Sequence, residues 1–152
     1  MKKIGEGEDG KCYFDGKNVY KVCHTKRKFL NEKKIVEKFC CLPGSKFHLV
    51  ETSFTDDGVI VMPYYLQESN ELPIDRHDIE SAAIWLLNNT GWLHIDIKKK
   101  NVFYDKNQKK WLLGDFGKCQ NILDRQNFAS LGDCKVKYYN AIEYIKKLVD
   151  DL

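Results

Sequence analysis

Two short segments carry side chains that could act together on a phosphate. His94-Ile95-Asp96-Ile97-Lys98-Lys99-Lys100-Asn101 reads as a tight loop, and Asp115-Phe116-Gly117 follows a short strand soon after it. Phosphoryl transfer asks a protein mainly for positioning and charge. One carboxylate orients the attacking hydroxyl, and hard oxygen donors hold magnesium on the phosphates. Asp96 suits the first task, and Asn101 with Asp115 the second. Lys98, two residues past Asp96, has the charge to neutralise a phosphate in transit. Taken singly, Asp96 could equally be a loop carboxylate capping a helix, and a lone Asp-Phe-Gly carries almost no information.

The N-terminus offers a place for the phosphates. Gly5-Glu6-Gly7-Glu8-Asp9-Gly10 is a G-x-G-x-x-G, whose bare backbone can approach phosphate oxygens and present N–H groups to them. Alone it is no more than a glycine-rich turn. It lies between two strands rather than before a helix, which argues against a dinucleotide fold. Lys21 closes the strand Val19-Tyr20-Lys21, and alternation puts it on the face of Val19. A lysine in a cleft needs a carboxylate to hold it. Glu32 and Glu37 are the two choices, and helix faces leave the choice open.

These residues need elements to position them. Met1 to Gly5, Lys11 to Phe14 and Asn18 to Val22 are expected strands, with Asp15-Gly16 as a hairpin turn. Lys26 to Phe39 is expected to be a helix with Phe29, Leu30, Ile35, Val36 and Phe39 largely on one face, ended by Pro43-Gly44. Phe47 to Phe54 and Val59 to Tyr65 read as a hairpin turning at Asp56-Asp57-Gly58. The second half begins near Leu66. Asp75 to Leu93 reads as helix, with Ile79, Ala82, Ala83, Leu86 and Leu87 apolar and Gly91 marking its end. Val102 to Tyr104 and Trp111 to Leu113 form a small hairpin that delivers Asp115. Val136 to Leu152 reads as a helix whose stripe is Ile142, Ile145, Leu148, Val149 and Leu152. It is expected to pack back beneath the Asp96 loop. Sheet first and helices later is an α+β arrangement, and the cleft between such units is a common ligand site.

Bulk composition agrees with one compact domain over residues 1–152. The chain is 43% hydrophobic and 31% charged, with a net charge of +3. No apolar run approaches a membrane span, and the N-terminus lacks the apolar stretch of a signal peptide. A charge of +3 does not by itself imply nucleic acid, and the clusters Lys26-Arg27-Lys28 and Lys98-Lys99-Lys100 read as solvated surface. Six cysteines without a C-x-x-C pair suit free thiols in a reducing, cytoplasmic setting. No histidine has a partner at metal-ligand spacing.

The ordered set Lys21, Glu32, Asp96, Lys98, Asn101 and Asp115 resembles the eukaryotic-type protein-kinase family. The resemblance covers Ile4 to Gly117 and implies a minimal two-lobed fold. A five-stranded antiparallel N-lobe sheet with one helix (about 1–65) would precede a reduced, mostly helical C-lobe (about 66–152). It implies ATP and Mg²⁺ as cofactors and transfer of the γ-phosphate to Ser or Thr of a protein substrate. Asp96 would be the base or hydroxyl orienter, Lys98 its cationic neighbour typical of Ser/Thr enzymes, and Asn101 and Asp115 the metal ligands. Asn31-Glu32-Lys33-Lys34-Ile35 resembles the helix segment that partners the cleft lysine, which favours Glu32 over Glu37. Gly5, Gly7, Gly10, Cys12, Met62 as gatekeeper, and the backbone of Pro63 and Tyr65 would surround the nucleotide. His94 would pack beneath the loop against Phe116.

The tail departs from the family. Only 35 residues follow Gly117, no A-P-E motif occurs, and Phe128-Ala129-Ser130-Leu131-Gly132 only faintly resembles the central helix of the second lobe. In this the chain resembles the stripped-down kinases of some large DNA viruses. Ile95 stands where regulated kinases carry a phosphate-pairing Arg, and Lys118 to Ala129 contains no Ser, Thr or Tyr. Switching by phosphorylation of that segment is therefore not expected. Two alternatives remain beside a protein kinase: a catalytically silent pseudokinase that binds nucleotide or protein, and a small-molecule kinase. Asp115-Phe116-Gly117 with Lys98 disfavours the latter.

Overall fold

The computed structural model describes residues 1–123 and 131–152. Among these the chain is α+β, with a five-stranded antiparallel sheet and four α-helices. The strands are β1 (Lys2–Glu6), β2 (Gly10–Phe14), β3 (Asn18–Cys23), β4 (Ser53–Phe54) and β5 (Val59–Pro63), in the order β1-β2-β3-β5-β4. The Asp15 carboxylate fixes the β2–β3 turn by accepting the amides of Lys17 and Asn18 at 2.9 and 2.8 Å, and Gly16 takes the positive φ of 99°. Helix α1 (Lys26–Phe39) is capped by the Thr25 hydroxyl and packs on this sheet. Sheet and helix together are compatible with a small kinase-like N-lobe.

Two expectations for this half fail. Leu30 is exposed, so the buried face of α1 is Phe29, Glu32, Ile35, Val36 and Phe39. Phe47 to Phe54 is not a strand: Gly44 turns the chain at φ 88° into a short helix α2 (Ser45–His48), and only Ser53–Phe54 joins the sheet. Leu49 and Val50 are buried all the same, because the Val50 amide donates to the Leu113 carbonyl at 3.0 Å and holds the run against the second half. Burial gave those residues their strand-like pattern.

Helix α3 (Arg76–Thr90) buries the five residues its periodicity names: Ile79, Ala82, Ala83, Leu86 and Leu87. It ends at Thr90, and Gly91, the expected end signal, adopts the left-handed conformation, φ 76°, so Trp92 and Leu93 fall outside the helix. Trp92–Leu93 becomes β6, paired with β9 (Gln120–Asn121), which the sequence does not reveal. β7 (Val102–Asp105) and β8 (Lys110–Leu113) form the expected hairpin. The last helix, α4 (Leu131–Asp150), packs chiefly on α3 rather than beneath the Asp96 loop, burying Ala141, Ile145 and Val149. Residues 124–129 of the hydroxyl-free stretch, and Phe128-Ala129-Ser130 of the faint central-helix likeness, lie outside the described residues. Among the described residues no helix is long and apolar enough to cross a membrane.

Candidate active site

Strand alternation decides where Lys21 points. Val19 and Lys21 are buried on one face of β3 while Val22 is exposed on the other. The Lys21 ammonium lies 2.7 Å from Glu32 Oε2 and 3.5 Å from Asp115 Oδ1. Glu37 is exposed and pairs with Lys33 at 3.8 Å, so Glu32 is the partner. Burial works against the charge of Lys21, but the carboxylates of Glu32 and Asp115 outweigh it and raise its pKa. Burial likewise pushes the Glu32 carboxyl up, while Lys21 and the Phe116 amide counter it; the ionised pair is the form we assign.

The Asp96 loop is built on a buried histidine. His94 is fully buried and lies edge-on to Phe116, 5.9 Å between ring centres. Its Nδ1 accepts the Asp96 amide at 3.1 Å, so the ring proton sits on Nε2, which donates to the Gly114 carbonyl at 2.9 Å. Burial lowers the imidazole pKa and keeps it neutral. This one ring ties Asp96 to the segment that carries Asp115. Asn101, 2% exposed, donates from Nδ2 to the Asp96 carbonyl at 2.8 Å and to Asp96 Oδ2 at 3.0 Å. Lys98 Nζ is 3.1 Å from Asp96 Oδ1. Burial would raise the Asp96 carboxyl, but Lys98, Lys118 and Asn101 more than offset it and lower its pKa.

Asp115 has φ 56°, a left-handed backbone unusual for a residue with a side chain. Such strain persists where surroundings over-determine it. Here Phe116 is wholly buried against Phe39, with 4.8 Å between ring centres, and Gly114 could not carry a Cβ, which would meet Phe103 at 2.7 Å. Anchored on both sides, the Asp115 carboxylate is turned toward Lys21.

The three glycines of the N-terminal loop do different jobs. A Cβ on Gly10 would stand 2.2 Å from the Val22 carbonyl, so Gly10 is required by β2–β3 packing. Gly5 and Gly7 face open space or only the Lys100 ammonium, 3.9 Å from a Cβ built on Gly7. The loop is tied down: His24 Nε2 donates to the Gly7 carbonyl at 2.8 Å, and Lys28 pairs with Asp9 at 3.4 Å. At its tip, Glu8 Oε2 meets Lys118 Nζ at 2.8 Å, and Lys118 lies 3.9 Å from Asp96 Oδ2. Sequence reasoning missed Glu8, Lys118 and His24, and it treated Lys100 as solvated surface.

Cys12, Val19, Lys21 and Met62 share one face of the sheet through the pairs Cys12–Lys21 and Val19–Met62. Pro63 ends β5, and among the described residues the Tyr65 amide has no hydrogen-bond partner, leaving it open to a ligand edge. The Tyr65 hydroxyl accepts the Glu51 amide at 3.3 Å, and burial raises its pKa to about 12. The large open groove, about 570 Å³, lies instead on the outer face of the sheet, where it is lined by Tyr13, Tyr20, Val22 and Val59 and contains none of these residues. On the α1 side a small cavity of about 20 Å³ opens between Asp9, Lys28, Glu32 and Gly117. The Glu8–Lys118 contact draws the glycine loop down onto the Asp96 loop.

The donor set suits magnesium shared with a nucleotide. No cluster of three metal-ligating His, Cys, Asp or Glu side chains occurs among the described residues. Asp115 offers a carboxylate, and Asn101, its Nδ2 engaged with Asp96, has its Oδ1 left to face an ion. One or two such donors beside phosphate oxygens is the usual protein contribution to a magnesium–nucleotide site.

No protein-family model matches the chain. It is 30% identical over 105 residues, 66% of its length, to the probable serine/threonine-protein kinase fnkB of Dictyostelium discoideum. The chain spans 19% of that protein. This likeness supports a protein-kinase-like relationship.

Proposed function

We propose that the chain is a minimal two-lobed protein kinase that transfers the γ-phosphate of ATP to Ser or Thr hydroxyls of a protein, without control by phosphorylation of the segment after Gly117. The observation that carries this reading is a pair of linked groups from four segments: Lys21 with Glu32 and Asp115, and Asp96 with Asn101, the two joined where the Gly114 amide donates to the Asn101 carbonyl at 2.9 Å. The 30% identity to a probable serine/threonine-protein kinase supports it independently.

In this reading Lys21, held by Glu32, binds the inner phosphates, and Gly5 and Gly7 let the loop backbone approach them. Cys12, Met62, the Pro63 carbonyl and the Tyr65 amide border the adenine. Asp115 and Asn101 hold magnesium, which when bound supplies positive charge to the phosphate oxygens. Asp96, its carboxyl lowered and its orientation fixed by Asn101, accepts a hydrogen bond from the attacking hydroxyl and takes up its proton. Lys98 neutralises charge on the group in transit.

Calorimetric titration with ATP tests the binding half. Binding should require Mg²⁺ and weaken about tenfold or more in Lys21→Met, a loss of at least about 1.4 kcal/mol. Equal affinity in wild type and variant would overturn the site. ATP binding with no transfer to any protein would instead mark a nucleotide-binding regulator, and transfer only to small molecules a small-molecule kinase.

A further inference from the structure

Three lysine ammonium groups gather between Asp96 and Glu8, a carboxylate of the glycine loop. Lys98 pairs with Asp96 at 3.1 Å; Lys118 pairs with Glu8 at 2.8 Å and approaches Asp96 to 3.9 Å. Lys100 reaches to 3.9 Å from a Cβ built on Gly7, next to Glu8. Lys21 is not part of this group, being engaged by Glu32 and Asp115. The nucleotide charge thus has its own partner, and the second cationic centre lies where an acceptor hydroxyl would meet Asp96.

We propose that Lys98, Lys100 and Lys118 form a basic cup selecting acceptor peptides with an anionic side chain close to the hydroxyl, and that Glu8 is the carboxylate standing in that place in this conformation. This rests on the proposed kinase reading and names its substrate class. Glu8 is 71% exposed on a loop tip, so its ion pair with Lys118 is screened by water and easily exchanged for another anion. The hydrogen bond from Lys118 and the charges of Lys118, Lys98 and Lys100 together lower the Glu8 carboxyl, as they would any carboxylate or phosphate seated there. With Glu8 displaced, Asp96 would be the one carboxylate left to the cup, paired with Lys98 and approached by Lys118, while Lys100 would lose its nearby anion. Like charges so close favour an incoming anion and repel a basic peptide.

Fluorescence anisotropy tests this without turnover. Labelled Ser peptides with neutral, Asp/Glu, phosphoserine or Lys flanks are titrated with the full chain, and a single-stranded oligonucleotide serves as rival polyanion. The acidic and phosphorylated peptides should bind about tenfold or more tighter than the neutral one, with the preference fading as salt rises. Comparing the carboxylate and phosphate arms tells which anion fits better. The double variant Lys100→Gln/Lys118→Gln should bind all peptides alike, and Glu8→Gln should tighten the acidic peptides several-fold. Equal binding of all peptides by wild type, undiminished preference in the double variant, or tighter binding of the oligonucleotide would overturn the cup. Loss of MgATP binding with the peptide preference intact would count against phosphoryl transfer while supporting the cup.

Discussion

Glu32 and Phe116, 84 residues apart, are joined by one hydrogen bond: the Phe116 amide donates to Glu32 Oε1 at 3.3 Å while Oε2 of the same carboxylate holds Lys21 at 2.7 Å. One buried side chain therefore registers α1, β3 and the Asp115 segment against one another. Moving any of the three strands the other two.

That arrangement makes Lys21 and Glu32 energetically coupled. Both are nearly buried, so removing one leaves a charge without its partner. Lys21→Met and Glu32→Gln should each cost about 3–5 kcal/mol in urea denaturation. The double variant should cost less than their sum by about 1 kcal/mol or more. Glu37→Ala, breaking only the exposed contact with Lys33, should stay within about 0.5 kcal/mol. Simple additivity for the buried pair would contradict the account.

Gly10 and Gly7 should separate folding from ligand binding. Gly10→Ala forces a methyl into the Val22 carbonyl and should destabilise by about 1–3 kcal/mol, read as a fall in Tm. Gly7→Ala meets only the end of a lysine, so Tm should hold while ATP affinity falls. A Gly10→Ala protein with wild-type Tm would show that the β2–β3 approach is misjudged.

Part of this was legible in the sequence, and the failures have two causes. The core face of α3 and the hairpin at Asp15-Gly16 follow directly from periodicity and turn chemistry. Helix faces left Glu32 and Glu37 open because Leu30, seven residues before Glu37, counted as apolar face; with Leu30 exposed, the buried stripe 29, 32, 36 and 39 takes in Glu32. Phe47 to Phe54 misled because burial against β8, not pairing in the sheet, set its apolar pattern. Glu8 and Lys118 were invisible for a different reason: an ion pair between residues 110 apart leaves no local signal.

His94 should give stability a pH dependence. Burial holds its pKa below the ordinary 6.5, so near and below that value the unfolded chain binds a proton the folded chain refuses. Stability from this group is complete above about pH 6.5 and falls as pH drops below it. Protonation would also turn Nδ1 from acceptor to donor against the Asp96 amide. The urea midpoint should decline from about pH 6.5 to 5 in wild type and less steeply in His94→Asn. Equal slopes would remove His94 as the cause.

The two faces of α4 should respond oppositely. Ile145→Ala empties a fully buried position facing the α3 side and should cost about 2–5 kcal/mol. Tyr139→Ser, at a position 67% exposed, should change stability by no more than about 0.5 kcal/mol. A harmless Ile145→Ala would mean that α4 is a detachable arm rather than part of the core.

The central claim is phosphoryl transfer by Asp96 and Asp115, and label from γ-labelled ATP tests it most directly. Wild-type protein with Mg²⁺ and a set of Ser/Thr-containing proteins should incorporate label, including after phosphatase treatment. Asp115→Asn, which removes a ligand charge while nearly keeping volume, and Asp96→Asn should both keep the wild-type Tm and lower incorporation by about a hundredfold or more. Label incorporated at wild-type rate by either variant, or none by the wild-type protein while it binds MgATP, would contradict the account.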